Sequence, residues 1–286
     1  MTESPYRLAW RVTEPLHALV YFVPEAAERY AACGVDASAG YFASRGAAFG
    51  PVGPGIVTAT FYNFNPALVA RILPAVWERT TPAAMVAARL DAADAALTRG
   101  LGADVVAGPE MAEAAELART AALAAGQWPQ GRPLFAAHAE LPWPEQPHLV
   151  LFHAQMLLRE FRGDGHVAAL LTAGITGLEA IVLHVASGEI DERFLRPTRG
   201  WTRDAWAAAA EDLRARGLLD ENGLTDQGRR LRADLEATTD RLAEPAYRVL
   251  GEEGCLRLAA LTRPLSRTVV KGGLLDPRQL TKTGRE

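Results

Sequence analysis

The sequence is poor in cysteine: only Cys33 and Cys255 occur in 286 residues. They lie far apart, with no Cys-x-x-Cys pair and no cluster with histidine, which excludes a zinc finger and argues against a disulfide framework. A G-x-S-x-G nucleophile motif, a P-loop and a G-x-G-x-x-G fingerprint are also missing. The sequence therefore predicts no metal site, and it leaves any cofactor unknown.

Long apolar runs are missing too. No segment reaches the ~18 uninterrupted apolar residues of a membrane helix, and Met1 to Arg11 lack the apolar run of a signal peptide. We therefore predict a cytoplasmic chain with no membrane partner. Lysine occurs only at Lys271 and Lys282 among 30 basic residues, and the formal net charge is −4. Because nucleic-acid-binding proteins usually carry a basic surface, this charge balance argues against DNA binding.

Alanine-rich segments with helical periodicity predict a mainly α fold of closely packed helices. Residues 1–13 are polar and are predicted to be extended. The next segment predicts a helix from Glu14 to Cys33, kinked at Pro24. On that helix His17 and Tyr21 share one face with i, i+4 spacing. A polar stripe on a buried helix either meets a partner helix or lines a pocket.

The densest group of charges lies between two predicted helices, over residues 148–161 and 164–173. Gly163 and Gly165 predict a turn between them, and Asp164 is the expected cap of the second helix. The ionisable residues at this turn are Arg159, Glu160, Arg162, Asp164 and His166. Two interpretations stay open at this stage: a structural cluster of ion pairs that fixes the angle between the helices, or a ligand-binding or catalytic site.

Composition divides the chain into four predicted parts. Prolines concentrate in residues 126–147, which we interpret as a non-helical connector between one domain, residues 1–125, and a second, residues 148–263. Residues 264–286 are predicted to form a polar tail. In the second domain, the dipeptide Asn222-Gly223 predicts a small β-hairpin between two helices.

The segments Leu213–Leu219 and Leu224–Arg229 resemble the winged helix of MarR-type proteins. Together with Tyr41–Gly50, Leu157–Leu170 and Arg199–Trp201, they make nearly the whole chain similar to the actinobacterial helix-turn-helix family that includes the SalK-type proteins of natural-product clusters. The resemblance implies tandem winged-helix (MarR-like) domains with small β-hairpin wings. The two halves would pair as a pseudo-dimer within one chain, or the chain would form a homodimer. The resemblance implies no settled activity.

The helix that would enter the major groove, Thr202 to Leu213, offers one arginine followed by alanines and three acids. Base readers present arginine, lysine, asparagine or glutamine instead. The wing carries Asp220 and Glu221, which phosphates would repel. A small basic edge for DNA is still available at Arg196, Arg199 and Arg203. A MarR-like, ligand-responsive DNA-binding regulator is therefore the alternative hypothesis.

Our preferred hypothesis is a winged-helix protein that binds or transforms a small-molecule metabolite between its halves, in natural-product metabolism as the resemblance suggests. Whether a reaction is catalysed stays open. The candidate ligand-binding residues supply guanidinium groups and aromatic walls; they are Tyr21, Tyr41, Arg45, Arg159 and Arg162. The candidate acid–base residues are His166, Asp164 and His17. A third hypothesis is a non-enzymatic partner protein whose interface is its alanine-rich helices.

Overall fold

The computed structural model describes residues 3–275 and is mainly α-helical, as predicted. The first nine helices are α1 (Pro5–Thr13), α2 (Pro15–Ala18), α3 (Pro24–Ala32), α4 (Ala37–Gly46), α5 (Pro54–Phe61), α6 (Pro66–Ile72), α7 (Pro82–Leu101), α8 (Ala103–Val106) and α9 (Pro109–Ala125). The remaining elements are α10 (Pro133–Ala139), α11 (Pro147–Thr172), α12 (Gly177–Ala186), α13 (Glu192–Thr198), α14 (Arg203–Ala215), β1 (Leu219–Asp220), β2 (Gly223–Leu224), α15 (Asp226–Tyr247) and α16 (Gly251–Lys271). Short 3-10 turns occur at Leu19–Tyr21, Ala47–Phe49, Ala75–Glu78 and Arg248–Leu250.

The N-terminal segment differs from the prediction. Residues 5–13 form α1, which packs on α16, and the hydroxyl of Ser266 donates to the carbonyl of Val12 at 2.6 Å. The predicted helix from Glu14 to Cys33 is divided into α2, a 3-10 turn and α3. Pro24 does not kink a helix but begins α3, because proline lacks only an N–H that the first turn would leave unpaired.

The predicted turn at Gly163 and Gly165 is absent, because α11 runs through both residues as one helix of 26 residues. A Cβ added at Gly165 would lie 2.9 Å from Nη1 of Arg132 and 3.2 Å from Cβ of Leu242. Glycine thus lets Arg132 and Leu242 approach α11 closely, at a position where glycine inside a helix costs roughly 1 kcal/mol relative to alanine. Asp164 consequently does not cap a second helix.

The apolar core consists of two clusters. The larger one joins α1–α10 to the first half of α11 and to α16, around side chains such as Met85 and Phe161. The smaller one joins the end of α11 to α12–α15, around Ile175, Leu183 and Leu213. Helix α11 contributes to both clusters and therefore connects them. Among residues 3–275 no single helix is long and apolar enough to cross a membrane; α11 and α12 meet that test only together, as a pair bent by 97°.

Two of the predicted segments have more structure than expected. The connector is not purely non-helical, because it contains α10, whose Leu134 and Phe135 are buried in the larger core. The start of the predicted tail continues α16 to Lys271, and the following Leu274 is buried. Residues 276–286 of the tail lie outside the described residues. The domain boundaries themselves stay predictions.

The smaller cluster has the element order of a winged helix: three helices, α12–α14, followed by an antiparallel hairpin that pairs Leu219 with Leu224. Thr202 and Thr225 cap α14 and α15 through their side chains. The hairpin lies where the sequence predicts it, whereas α13 was not predicted. Within residues 3–275 this hairpin is the only sheet, so the expected second wing is missing from the first half. A tandem arrangement stays a prediction.

Candidate functional site

The two core clusters are separated by a cavity of about 980 Å³. Its lining comes from α1, α2, α4 and α6, from the middle of α11, and from α12, α13 and α15. The predicted site residues that contribute to its wall are Tyr21, Tyr41, Arg45, Arg159, Arg162 and His166. An adjoining chamber of about 350 Å³ shares several of these residues and adds Asp164. The cavity has the size of a small-molecule site.

One loop of the first half, residues 62–65, contacts the unit formed by α12–α15 beside this cavity. The hydroxyl of Tyr62 donates to the carbonyl of Ile175 at 2.6 Å. The backbone N–H of Asn65 donates to the carbonyl of Arg199 at 2.9 Å. A Cβ at Gly177 would overlap the carbonyl oxygen of Tyr62, so only glycine permits this approach. The cavity wall is therefore held together by direct backbone contacts.

Ion pairs neutralise most of the arginines in the wall. Arg45 pairs with Glu160, and Arg159 pairs with Glu14. Arg162 has two acidic partners on α15, with its Nη1 2.6 Å from Oδ1 of Asp240 and its Nη2 3.0 Å from Oε2 of Glu236. Arg159, Glu160 and Arg162 thus form structural ion pairs, and the same side chains also line the cavity. The two interpretations of this stretch are compatible.

Arg199 differs from these arginines. Its guanidinium carbon lies 4.6 Å from the centre of the Phe64 ring, and its Nη1 donates to the hydroxyl of Thr198 at 3.1 Å. Its Nε is buried and has no hydrogen-bond partner among residues 3–275. Burial, with smaller contributions from nearby arginines, lowers the pKa of Arg199. Within the described part of the chain it forms no salt bridge.

The three arginines expected to form a DNA-binding edge have different surroundings. Arg199 lies in the cavity wall. Arg196 is paired, because its Nε lies 3.0 Å from Oε1 of Glu192. Arg203 is exposed at the first residue of α14. Of the three, Arg203 alone is exposed, and a role of these residues in DNA binding stays a prediction.

The three candidate acid–base residues do not contact one another. His166 lines the cavity, and its Nδ1 lies 2.9 Å from the hydroxyl of Thr239. Asp164 instead accepts the backbone N–H of Phe135 at 2.9 Å, in the first turn of α10. His17 is fully buried, with Nε2 2.9 Å from Nη2 of Arg89. No histidine–carboxylate pair therefore forms within this predicted set.

Burial also shifts the protonation of these groups. Desolvation lowers the pKa of His166 and lowers that of His17 well below the ordinary value. Desolvation raises the pKa of Asp164 to about 6, although its hydrogen bond from Phe135 acts in the opposite direction. Both histidines are consequently neutral at pH 7. Among residues 3–275 no three histidine, cysteine, aspartate or glutamate side chains are grouped closely enough to hold a metal ion.

Several residues of the wall were not predicted. His184, Arg232, Glu236 and Thr239 reach the cavity from α12 and α15. Arg232 and Glu236 have the i, i+4 spacing that is common on any exposed helix, so the sequence carries no specific signal for them. Burial lowers the pKa of His184 to about 4.

Comparison with known proteins agrees with the observed element order. No curated protein and no solved structure matches the chain significantly. One family model, described as a helix-turn-helix family, matches residues 6–276 and so includes both core clusters and the cavity between them. The chain belongs to this helix-turn-helix family.

Proposed function

We propose that this helix-turn-helix protein binds a small-molecule metabolite in the cavity between its two halves. The observation that carries the proposal is the cavity of about 980 Å³, which joins aromatic walls to a set of arginines. Ligand pockets usually have this combination of apolar lining and a few polar groups. The contacts of Tyr62 and Asn65 with the winged helix hold the wall in place without a ligand, which lowers the ordering cost of binding.

The site supports binding more than catalysis. Neither Asp164 nor His17 is placed to assist His166, and each is engaged with a structural partner. A general base must reach the proton it abstracts, and His166 is the one member of the predicted set that lines the large cavity. The closer likeness to MarR regulators and SalK-type proteins, with its link to natural-product metabolism, stays a prediction, as do a cytoplasmic location and the oligomeric state.

Native mass spectrometry of the protein purified from its own host tests the proposal. Two matched variants help: Ile190→Trp narrows the cavity, whereas Val249→Trp adds the same side chain at an exposed position away from it. We expect additional mass on the wild type and on Val249→Trp, and none on Ile190→Trp. Equal adducts on all three proteins, or a bare polypeptide in every case, would contradict a cavity ligand.

A DNA-binding regulator is the second candidate, and family membership favours it. The position of α14 between α13 and the hairpin is that of a recognition helix. Its exposed face carries Asp204, Glu211 and Asp212, and the exposed wing carries Asp220 and Glu221. Because these acids would lie near phosphates, the surface disfavours DNA.

Retention of genomic fragments from the same host, measured at low salt, distinguishes the two candidates. Arg203→Ala removes the exposed arginine at the start of α14. The ligand-binding account predicts weak retention that this variant does not change. Retention that is specific for a few fragments and is lost in Arg203→Ala would favour the regulator.

A further inference from the structure

We propose that the ligand of this cavity is an organic anion and that Arg199 binds its negatively charged group. This inference rests on the proposed function, because it names the chemical class of the molecule that occupies the same cavity. It also reassigns Arg199, which the sequence places among the candidate DNA contacts.

The charge balance of the wall identifies Arg199. The arginines that line the cavity are Arg7, Arg11, Arg45, Arg159, Arg162, Arg199 and Arg232. All except Arg199 have a carboxylate of the chain within salt-bridge distance. For Arg199, residues 3–275 provide none. A partly desolvated cation without a counter-ion is costly, so an external anion is the expected partner.

The guanidinium of Arg199 is also held in a defined position. It stacks on the Phe64 ring, and the backbone of Arg199 is fixed by the hydrogen bond from Asn65. Within residues 3–275, only its contact with Thr198 uses a donor of the guanidinium, and Nε keeps a buried, unused N–H. A guanidinium has five donors arranged as a fork, which matches a carboxylate, phosphate or sulfonate group.

Neighbouring charges favour an anion at the same place. Arg45 and Arg159 lie near enough to Arg199 to disfavour its protonated form. Their own carboxylates, Glu160 and Glu14, balance these two charges one for one. The group of three arginines therefore keeps one net positive charge, and a bound anion at Arg199 would neutralise it.

The surface beside Arg199 is apolar, which indicates that the rest of the ligand is apolar too. Leu68 lies against the next residue, since a Cβ at Gly200 would be 2.8 Å from Cδ2 of Leu68. Ile72 and Phe194 line the same cavity. An acidic group joined to an aromatic or aliphatic body would satisfy both surfaces.

Two fluorescent probes of similar shape test the inference. 1-Anilinonaphthalene-8-sulfonate carries a negative charge, whereas N-phenyl-1-naphthylamine is neutral. We expect the wild type to bind the sulfonate more tightly. Arg199→Gln should weaken binding of the sulfonate at least about tenfold, or ~1.4 kcal/mol. Its affinity for the neutral probe should stay within about twofold of the wild type, which also shows that the variant is folded. Arg203→Gln, at an exposed arginine, should change neither.

Competition identifies the acidic group, because benzoate and phenyl phosphate should displace the sulfonate while neutral benzamide should not. An unchanged sulfonate affinity in Arg199→Gln would overturn the anion inference alone, provided that Ile190→Trp weakens the neutral probe. If neither probe binds the wild type, or if Ile190→Trp weakens neither, the proposed function fails and the inference fails with it.

Discussion

Arg45 and Glu160 form a buried pair joined by two hydrogen bonds, with Nε of Arg45 2.8 Å from Oε1 of Glu160 and Nη2 2.6 Å from Oε2. The side chains are only 12% and 1% exposed. The pair connects α4 to the middle of α11, at the wall of the cavity. Burial alone would raise the pKa of Glu160, but the charge and hydrogen bonds of Arg45 outweigh it and lower that pKa.

Glu160→Gln should therefore be strongly destabilising, because it leaves the Arg45 charge buried without a counter-ion. We expect a loss of about 3–5 kcal/mol in the free energy of unfolding, measured by urea denaturation at pH 7. Arg193→Gln breaks the exposed pair with Asp191 and should have no measurable effect. The stability that ionised Glu160 contributes to the wild type is present above the ordinary glutamate pKa and is lost in acid. The free energies of unfolding of wild type and Glu160→Gln should therefore converge as pH falls. Equal stability of Glu160→Gln and wild type at pH 7 would contradict this account.

Asp164 stabilises α10 by accepting the N–H of Phe135. Asp164→Ala should cost about 1–3 kcal/mol, because it leaves a buried donor unpaired, whereas Asp164→Asn keeps an acceptor. Burial raises the pKa of Asp164 to about 6, so the folded protein favours the protonated carboxyl. The stability gained in this way is fully present below the ordinary aspartate pKa and is lost as pH rises through 6. The free energy of unfolding of Asp164→Asn minus that of the wild type should therefore be larger at pH 7.5 than at pH 4. Urea midpoints at both values check this, and a difference that does not change with pH would count against it.

Buried neutral histidines should make the protein sensitive to acid. Burial lowers the pKa of His138, His153 and His184 to about 4 each. The neutral histidines contribute their full stability above the histidine pKa of the unfolded chain, about 6.5, and this stability is lost as pH falls toward 4. The free energy of unfolding should decrease over that interval, in spite of the opposite contribution of Asp164. His138→Asn should show a shallower decrease, and an identical slope in this variant would contradict the assignment.

The sequence predicts local features well and long-range contacts poorly. Thr202, Thr225 and the Asn222-Gly223 turn act through neighbouring backbone, so their roles can be recognised without the fold. Helix α1 was missed because the surface that stabilises it comes from α16, at the other end of the chain. The continuity of α11 was missed because the close approach of Arg132 and Leu242 to Gly165 depends on tertiary packing, and the structure gives no comparable contact at Gly163.

The candidate site shows the same limit. The ionisable residues clustered around Arg159 line the cavity, and their role in binding a ligand stays a prediction. The sequence does not show which of these charges are neutralised within the chain, since Glu160 and Asp240 reach their partners only through tertiary packing. Spacing alone groups Arg199 with Arg196, whereas the structure places it on Phe64.

Gly177→Ala should weaken the contact between α12 and the loop that contains Tyr62. The added Cβ would overlap the backbone carbonyl of Tyr62, which cannot move as a side-chain tip can. Gly53→Ala is the matched control, because a Cβ there meets nothing within 4 Å. We expect Gly177→Ala to lower stability by about 3 kcal/mol or more and to increase cleavage near residues 174–177 in limited proteolysis. Indistinguishable behaviour of the two variants would exclude a close backbone contact.

The most direct test of the central claim is a crystal structure of the protein soaked with 4-bromobenzoate, with data collected at the bromine absorption edge. Our account predicts an anomalous bromine peak inside the cavity, near Leu68 and Phe194, with the carboxylate at the guanidinium of Arg199. The Arg199→Gln crystal, treated in the same way, should lose the peak. A cavity without bromine, or bromine bound only on the outer surface, would contradict a small-molecule site between the two halves.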